Sequence, residues 1–202
     1  MTGAVTPEAV LDFWFEDALE NPAKLGGRMK VWFGGGTKVD AVIVERFAAT
    51  VDQLGSGLAD EWATQGPRQR LAAIIALDQF SRSIHRKSPR AFANDPLALR
   101  LAKGAVARGD DLSIPPAGRM FVYLPFEHSE DMANQRESLR LFEALAKEGT
   151  AETQAIFAST LDYAKRHAEV IERFGHFPHR NGVLGRTSTP EETAWVKEHG
   201  GF

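Results

Sequence analysis

The chain contains no cysteine in its 202 residues. Disulfide bonds, thiol catalysis and thiolate-bound metals are therefore excluded. Basic charge is not in excess either, since 24 Lys and Arg residues face 27 Asp and Glu residues. A net charge of −3 gives the chain no overall positive field. We therefore expect neither nucleic acid nor a membrane surface as a partner.

Long apolar runs are also missing. No stretch of the sequence approaches the roughly 18 consecutive apolar residues that a membrane-spanning helix needs. The first basic residue is Lys24, and the segment before it is interrupted by acidic side chains, so it does not match a signal peptide. These absences predict a cytoplasmic protein. No cofactor is predicted, and the sequence does not indicate an oligomeric state.

Strand signals are nearly absent, whereas helix signals recur along the chain. Even the β-branched cluster at 42–44 lies among apolar residues at helical spacing, such as Ile43, Phe47 and Val51. Thr189 and the Pro-Glu-Glu that follows it form a capping-box pattern at a helix start. We therefore predict an all-α fold with about seven to nine helices. Their predicted ranges are 7–17, 38–54, 58–64, 67–85, 96–108, 117–147, 152–174 and 190–198.

The predicted helices are joined by short linkers. Short connections favour antiparallel packing of neighbouring helices as hairpins. Pro125 lies inside the longest predicted helix and is expected to kink or break it. No linker or repeat divides the sequence, so residues 1–202 are predicted to form a single domain.

Polar residues interrupt several apolar helical stripes. His128 and Gln135 share a stripe with apolar residues after Pro116, and His167 lies on or beside the buried face of 152–174. Asp78 and Arg82 are four residues apart, and the pair faces inward or borders the core. Buried polar groups need partners, because each unpaired group costs about 1–3 kcal/mol. These side chains are therefore expected to pair with one another or with a ligand.

The segment RFGHFPHRN, residues 173–181, gathers basic and aromatic side chains where a regular helix cannot continue. Residues 165–186 hold five basic and two acidic residues, whereas residues 127–148 hold six acidic and three basic ones. This opposite charge predicts that the RFGHFPHRN segment folds back over the EHSE segment at 127–130.

Two interpretations of these polar segments remain open. In the first, they form a buried network of hydrogen bonds and ion pairs that fixes helix packing. In the second, they line a cleft in which His and Glu carry out acid–base chemistry or, as the weaker alternative, hold a metal. A metal site is not predicted, because no H-E-x-x-H motif or paired Cys/His spacing occurs. No G-x-S-x-G motif indicates a serine nucleophile either.

Several sequence blocks, in this order, resemble a known family. They are LDFWF, LDQFSRSIHRKSPRAFANDPLA, YLPFEHSED and YAKRHAEVIERFGHFPHRNGVLGRTSTPEE. Together they are similar to the bacterial domain-of-unknown-function family numbered 924. The chain departs from that pattern at Ser81, Ser83 and His176, where the family has Pro, Asn and Arg. The resemblance covers nearly the whole chain and implies an all-α, tetratricopeptide-like domain, but it implies no activity.

Three functional hypotheses follow. The first is a pocket that binds a small anionic metabolite or a peptide terminus. Arginine forks match carboxylate and phosphate groups. The expected ligand-binding residues are Asp78, Arg82, His167, Arg173, Arg180 and Asn181.

The second hypothesis is a hydrolase- or isomerase-type enzyme. Its general base would be His128 or His179, oriented by Glu127 or Glu130. The third hypothesis is a protein-interaction module that uses a concave helical surface.

Overall fold

The computed structural model describes residues 5–34 and 36–201. Within this part of the chain there are twelve α-helical segments, ten of which are seven residues or longer. They are α1 (Pro7–Phe15), α2 (Leu25–Phe33), α3 (Thr37–Gln53), α4 (Ala59–Gln65), α5 (Pro67–Ile75), α6 (Ser81–Ile84), α7 (Asp95–Arg108), α8 (Pro116–Glu127), α9 (Met132–Ala146), α10 (Gln154–Phe174), α11 (Asn181–Leu184) and α12 (Pro190–His199).

The all-α prediction is confirmed, and no strand occurs among the described residues. The predicted count of seven to nine helices is slightly too low. Helix α2 was not predicted, because its sequence LGGRMKVWF contains two glycines, which disfavour helix formation. Tertiary contacts stabilise it instead. Arg28 Nε and Trp32 Nε1 donate hydrogen bonds to the carbonyl oxygen of Trp14, at 3.0 and 2.8 Å.

The predicted helix 117–147 is two helices, α8 and α9. The break does not occur at Pro125, which lies within α8, but after Glu127. Asp131 then starts α9, because its side chain accepts a hydrogen bond from the backbone N–H of Asn134 at 2.9 Å. His128 and Glu130 therefore lie in the turn between the two helices.

Helices α5 and α8 pass through the centre of one compact domain. Every side chain from Leu71 to Leu77 is fully buried. The side chains of α8 from Ala117 to Glu127 are also buried, with at most a few per cent of their surface exposed. A helix that is buried on all sides carries any polar residue at its end into the interior. Asp78 follows the buried part of α5, and Glu127 ends α8.

The chain after Ile75 does not remain a regular α-helix. It widens into a π-helical turn over Ala76–Phe80 before α6 begins at Ser81. Such turns are frequent at functional sites. Here the turn contains Asp78.

None of the helices in residues 5–34 and 36–201 combines the length and the apolar character needed to cross a lipid bilayer.

Candidate functional site

The turn between α8 and α9 is fixed by Gln135, whose side chain is fully buried. Its Nε2 donates to the backbone carbonyls of Glu127 and Ser129, at 2.7 and 2.6 Å. Two carbonyl groups at the end of α8 thereby obtain partners that the helix itself does not supply. The positions of Glu127 and His128 are consequently set by a residue of the next helix.

Asp78 and His128 form a buried pair in the centre of this region. Nδ1 of His128 lies 2.8 Å from Oδ1 of Asp78, and Nε2 of Gln79 donates to Oδ2 at 2.6 Å. Burial opposes ionisation of Asp78, but Arg82 and these hydrogen bonds hold the pKa of its carboxyl group far below the usual value. Burial lowers the pKa of His128. A neutral His128 therefore donates from Nδ1 to the Asp78 carboxylate, and Asp78, not Glu127 or Glu130, orients this ring.

Two arginines from distant segments meet around Asp95. Arg82 makes a forked contact with the Asp95 carboxylate at 3.0 and 3.2 Å. NH1 of Arg180 is 3.8 Å from the same carboxylate and donates to the carbonyl oxygen of His128 at 3.1 Å. The ring of Phe92 lies 5.6 Å from the guanidinium carbon of Arg82 and 4.7 Å from that of Arg180. These contacts place two cations side by side.

Arg180 is incompletely satisfied in this arrangement. Its side chain is 8% exposed, and its Nε has no hydrogen-bond partner among the described residues. Burial, followed by the charge of Arg82, lowers the pKa of Arg180 to about 10. The guanidinium remains charged near neutral pH, so an additional negative group beside it would be stabilised.

Glu127 and His167 form a second buried pair. Oε1 of Glu127 lies 3.2 Å from Nδ1 of His167, and that nitrogen is also 2.9 Å from the carbonyl oxygen of Tyr163. Burial, with a smaller contribution from the charge of Asp78, raises the pKa of Glu127 to about 8. Burial, followed by repulsion from His128, lowers the pKa of His167 to about 3. Both groups are therefore mainly uncharged near pH 7.

The RFGHFPHRN segment folds back over the EHSE segment, as the charge pattern predicted. Oε1 of Glu130 accepts a hydrogen bond from the backbone N–H of Phe177 at 2.8 Å. Both terminal nitrogens of Arg186 donate to the carboxylate of Glu130, at 2.7 and 2.9 Å. Glu130 thus anchors the segment that carries His179 and Arg180.

The structure brings most of the predicted site residues together. Asp78, Arg82, Glu127, His128, His167 and Arg180 form what we call the polar cluster, with Asp95 as a further member. His179 lies beside it, with its ring 5.6 Å from the ring of Phe177.

Two predicted residues lie elsewhere. Arg173 is exposed and pairs with Glu191 on α12 at 2.8 Å. Asn181 is buried, but its Nδ2 donates to Ser188 and Glu192, at 3.1 and 3.3 Å, at the start of α12. These contacts account for Arg173 and for the amide nitrogen of Asn181 without a ligand, whereas the buried Oδ1 of Asn181 has no hydrogen-bond partner among the described residues.

The sequence-based prediction missed Asp95. The range predicted for this helix, 96–108, starts one residue after Asp95, and α7 begins at Asp95. Its side chain caps no backbone group, however, and instead binds Arg82. The available signal was an acidic residue at a predicted helix start. Burial of that residue cannot be read from the sequence.

A surface cavity of about 420 Å³ lies apart from the polar cluster. Its lining comes from α1, the turn after it and Arg68, and includes Leu11, Glu16 and Glu20. No member of the polar cluster contributes to it, so this cavity and the cluster are separate features.

Comparison with known proteins gives a family but no activity. A search of curated proteins finds no significant match. A solved structure of the protein of unknown function ATU0120 from Agrobacterium tumefaciens is similar to this chain, with a TM-score of 0.79 and 33% sequence identity. That similarity covers 95% of this chain and 97% of the other. The model of a family described as "Bacterial protein of unknown function (DUF924)" matches residues 10–200. The chain therefore belongs to the DUF924 family.

Proposed function

We propose that the protein binds a small anionic ligand, with a carboxylate or phosphate group, beside Arg82 and Arg180. The observation that supports this proposal is the incomplete pairing of Arg180. Its Nε has no described partner, and its nearest carboxylate is 3.8 Å away. A buried charge of this kind is costly unless it is paired and hydrogen-bonded.

The geometry of the two arginines suits an oxyanion. Arg82 is 25% exposed and Asp95 is 19% exposed, so the cluster reaches solvent at this edge. A ligand entering there would meet two guanidinium groups, which donate in a forked geometry that matches carboxylate and phosphate oxygens. A metabolite or the carboxyl terminus of a peptide carries such a group.

A thermal-shift panel tests this proposal. The panel contains inorganic phosphate, phosphorylated sugars, nucleotides, mono- and dicarboxylates, and a short peptide with a free carboxyl terminus. A ligand present at 100 times its Kd stabilises by about 2.7 kcal/mol, a Tm increase of roughly 2–4 °C for a chain of this size. The shift should disappear in Arg180→Lys, since lysine keeps the charge but not the fork.

Arg173→Lys is the matched control, because Arg173 lies on the surface in a pair with Glu191. It should give the wild-type shift. Equal shifts in the two variants, or no shift in the wild type across the panel, would contradict anion binding at Arg180.

Acid–base catalysis is a second candidate, favoured by the Asp78–His128 pair. A buried carboxylate that fixes the tautomer of a histidine is a common arrangement around general bases. The test is a screen of ester, amide and phosphate-ester substrates with wild type and His128→Gln. A turnover that persists unchanged in the variant would exclude His128 as the base.

The third hypothesis, a protein-interaction module, has no comparable observation in its favour. The large exposed apolar side chains lie on separate segments, namely Phe33, Val44, Leu112, Tyr163 and Leu184. A cytoplasmic location and a tetratricopeptide-like arrangement of the hairpins remain part of our proposal. Fractionation of cells that express the protein would test the location.

A further inference from the structure

The fold brings two histidines and a glutamate together from separate parts of the chain. Potential ligand atoms of Glu127, His128 and His167 all lie within 4.8 Å of one another. We propose that these three residues bind a divalent transition-metal ion of the Zn²⁺ class. The proposal does not depend on the anion-binding function, and it goes against the expectation from the sequence.

The donor set determines the class of metal. Two imidazole nitrogens and one carboxylate oxygen form the set used by many catalytic zinc sites and by non-haem iron sites. Mg²⁺ and Ca²⁺ prefer sites made of oxygen ligands. Three protein ligands also leave at least one coordination position for water or for an anion.

Asp78 is the outer-sphere partner that His128 would need as a ligand in such a site. Metal-bound histidines almost always donate their second ring N–H to a carboxylate or a carbonyl, which fixes the tautomer. Nδ1 of His128 is 2.8 Å from Oδ1 of Asp78, which leaves Nε2 with a lone pair. Asp78 is held in turn by Gln79 at 2.6 Å and by Arg82 at 3.5 Å.

Glu127 supplies an independent observation. Its side chain is 4% exposed, and its Oε2 has no hydrogen-bond partner among the described residues. Its other oxygen lies 3.2 Å from Nδ1 of His167. A buried carboxyl oxygen without a hydrogen-bond partner is unusual, and a cation that displaces the proton of Glu127 would satisfy it.

The backbone around these ligands is also held in place. Gln135 donates to the carbonyl oxygen of Glu127 at 2.7 Å, and Arg180 donates to that of His128 at 3.1 Å. His167 lies within the regular helix α10. The backbone that carries these ligand groups is therefore fixed by contacts outside the ligand set.

The experiment is a titration of the full-length protein, stripped with a chelator, with ZnCl₂ and separately with CoCl₂. We expect one Zn²⁺ per chain and a visible Co²⁺ absorption band typical of low coordination number. Glu127→Gln and His167→Gln should each lose this binding. Asp78→Asn keeps all three ligands and should weaken the affinity roughly 10–100-fold, as loss of an outer-sphere partner does.

His199→Gln is the control, because it removes an exposed histidine of α12 that lies outside the cluster. It should bind Zn²⁺ like the wild type. A ligand variant that does not fold cannot be used in this test. The proposal is then judged by the Zn²⁺ stoichiometry of the wild type, by its Co²⁺ spectrum and by the affinity of Asp78→Asn. Absence of stoichiometric binding in the wild type, or equal affinity in Glu127→Gln, His167→Gln and His199→Gln, would overturn the proposal.

Discussion

His128 and Asp78 are separated by fifty positions in the chain, yet Nδ1 of the histidine lies 2.8 Å from Oδ1 of the aspartate. Asp78 is 1% exposed and His128 is 14% exposed. Through this single side-chain hydrogen bond, the end of α8 is joined to the π-helical turn that follows α5.

Loss of the Asp78 carboxylate should lower the free energy of unfolding. Asp78→Asn removes the negative charge that Arg82 and His128 share, and breaking one partner of a buried ion pair costs about 3–5 kcal/mol. Arg82 keeps Asp95 as a partner, so we expect the lower end, about 3 kcal/mol. Urea unfolding measures this loss.

The control for Asp78→Asn is Asp60→Asn, because Asp60 pairs with Arg100 on the surface, where the side chains are 60% and 56% exposed. Its effect should stay within about 1 kcal/mol. Similar losses of unfolding free energy in the two variants would mean that the buried Asp78 contacts contribute no more stability than the surface pair.

Glu130→Gln should loosen the RFGHFPHRN segment. Glu130 accepts hydrogen bonds from Phe177 N–H and from Arg186, and a hydrogen bond to a charged group contributes about 1.5–3 kcal/mol. Hydrogen exchange should show faster exchange of the Phe177 amide in the variant. Glu191→Gln, in the exposed pair with Arg173, should leave that amide unchanged. Equal protection of this amide in Glu130→Gln and wild type would show that Glu130 does not anchor the segment.

Two glycine substitutions should change the stability of the protein in opposite directions. At Gly118 in α8, a Cβ would lie 2.5 Å from a methyl carbon of Ile114 and 3.0 Å from Leu71, so Gly118→Ala should destabilise the core. At Gly104 in α7, the nearest atoms belong to the flexible side chain of Arg108. Gly104→Ala should stabilise by about 0.5–1 kcal/mol, because glycine disfavours a helix interior. Thermal unfolding of both variants checks the signs, and a stabilising Gly118→Ala would refute the close packing of α5 and α8.

Acid should destabilise the protein partly through His179. Burial, followed by the charge of Arg180, lowers the pKa of His179 from its ordinary 6.5 to about 4. Between these values the unfolded chain binds a proton that the folded protein does not, so stability falls as the pH falls from 6.5 to about 4. Urea unfolding across this range should show a smaller fall in His179→Gln. The same pH dependence in variant and wild type would contradict a partly buried, neutral His179.

Local signals in the sequence determined most of the fold. Proline and threonine at helix starts, glycine after helix ends and apolar residues at helical spacing act over a few residues, so they are readable without the structure. The Thr189 capping box forms as predicted. Helix α2 was not predicted, because hydrogen bonds to the carbonyl oxygen of Trp14 stabilise it, and no local sequence pattern indicates these contacts.

The sequence also determined which side chains would need partners. Polar residues on buried stripes, such as His128 and Gln135, and the opposite charges of two segments pointed to one cluster. Which partners they obtain was decided by the tertiary structure alone. Asp78 rather than Glu127 orients His128, Asp95 joins the arginines, and Glu127 meets His167. The reason is that the turn after α5 meets the end of α8, α6 meets the start of α7, and α10 packs against the end of α8. Such contacts depend on how helices pack across long distances in the chain, and helical periodicity carries no information about that.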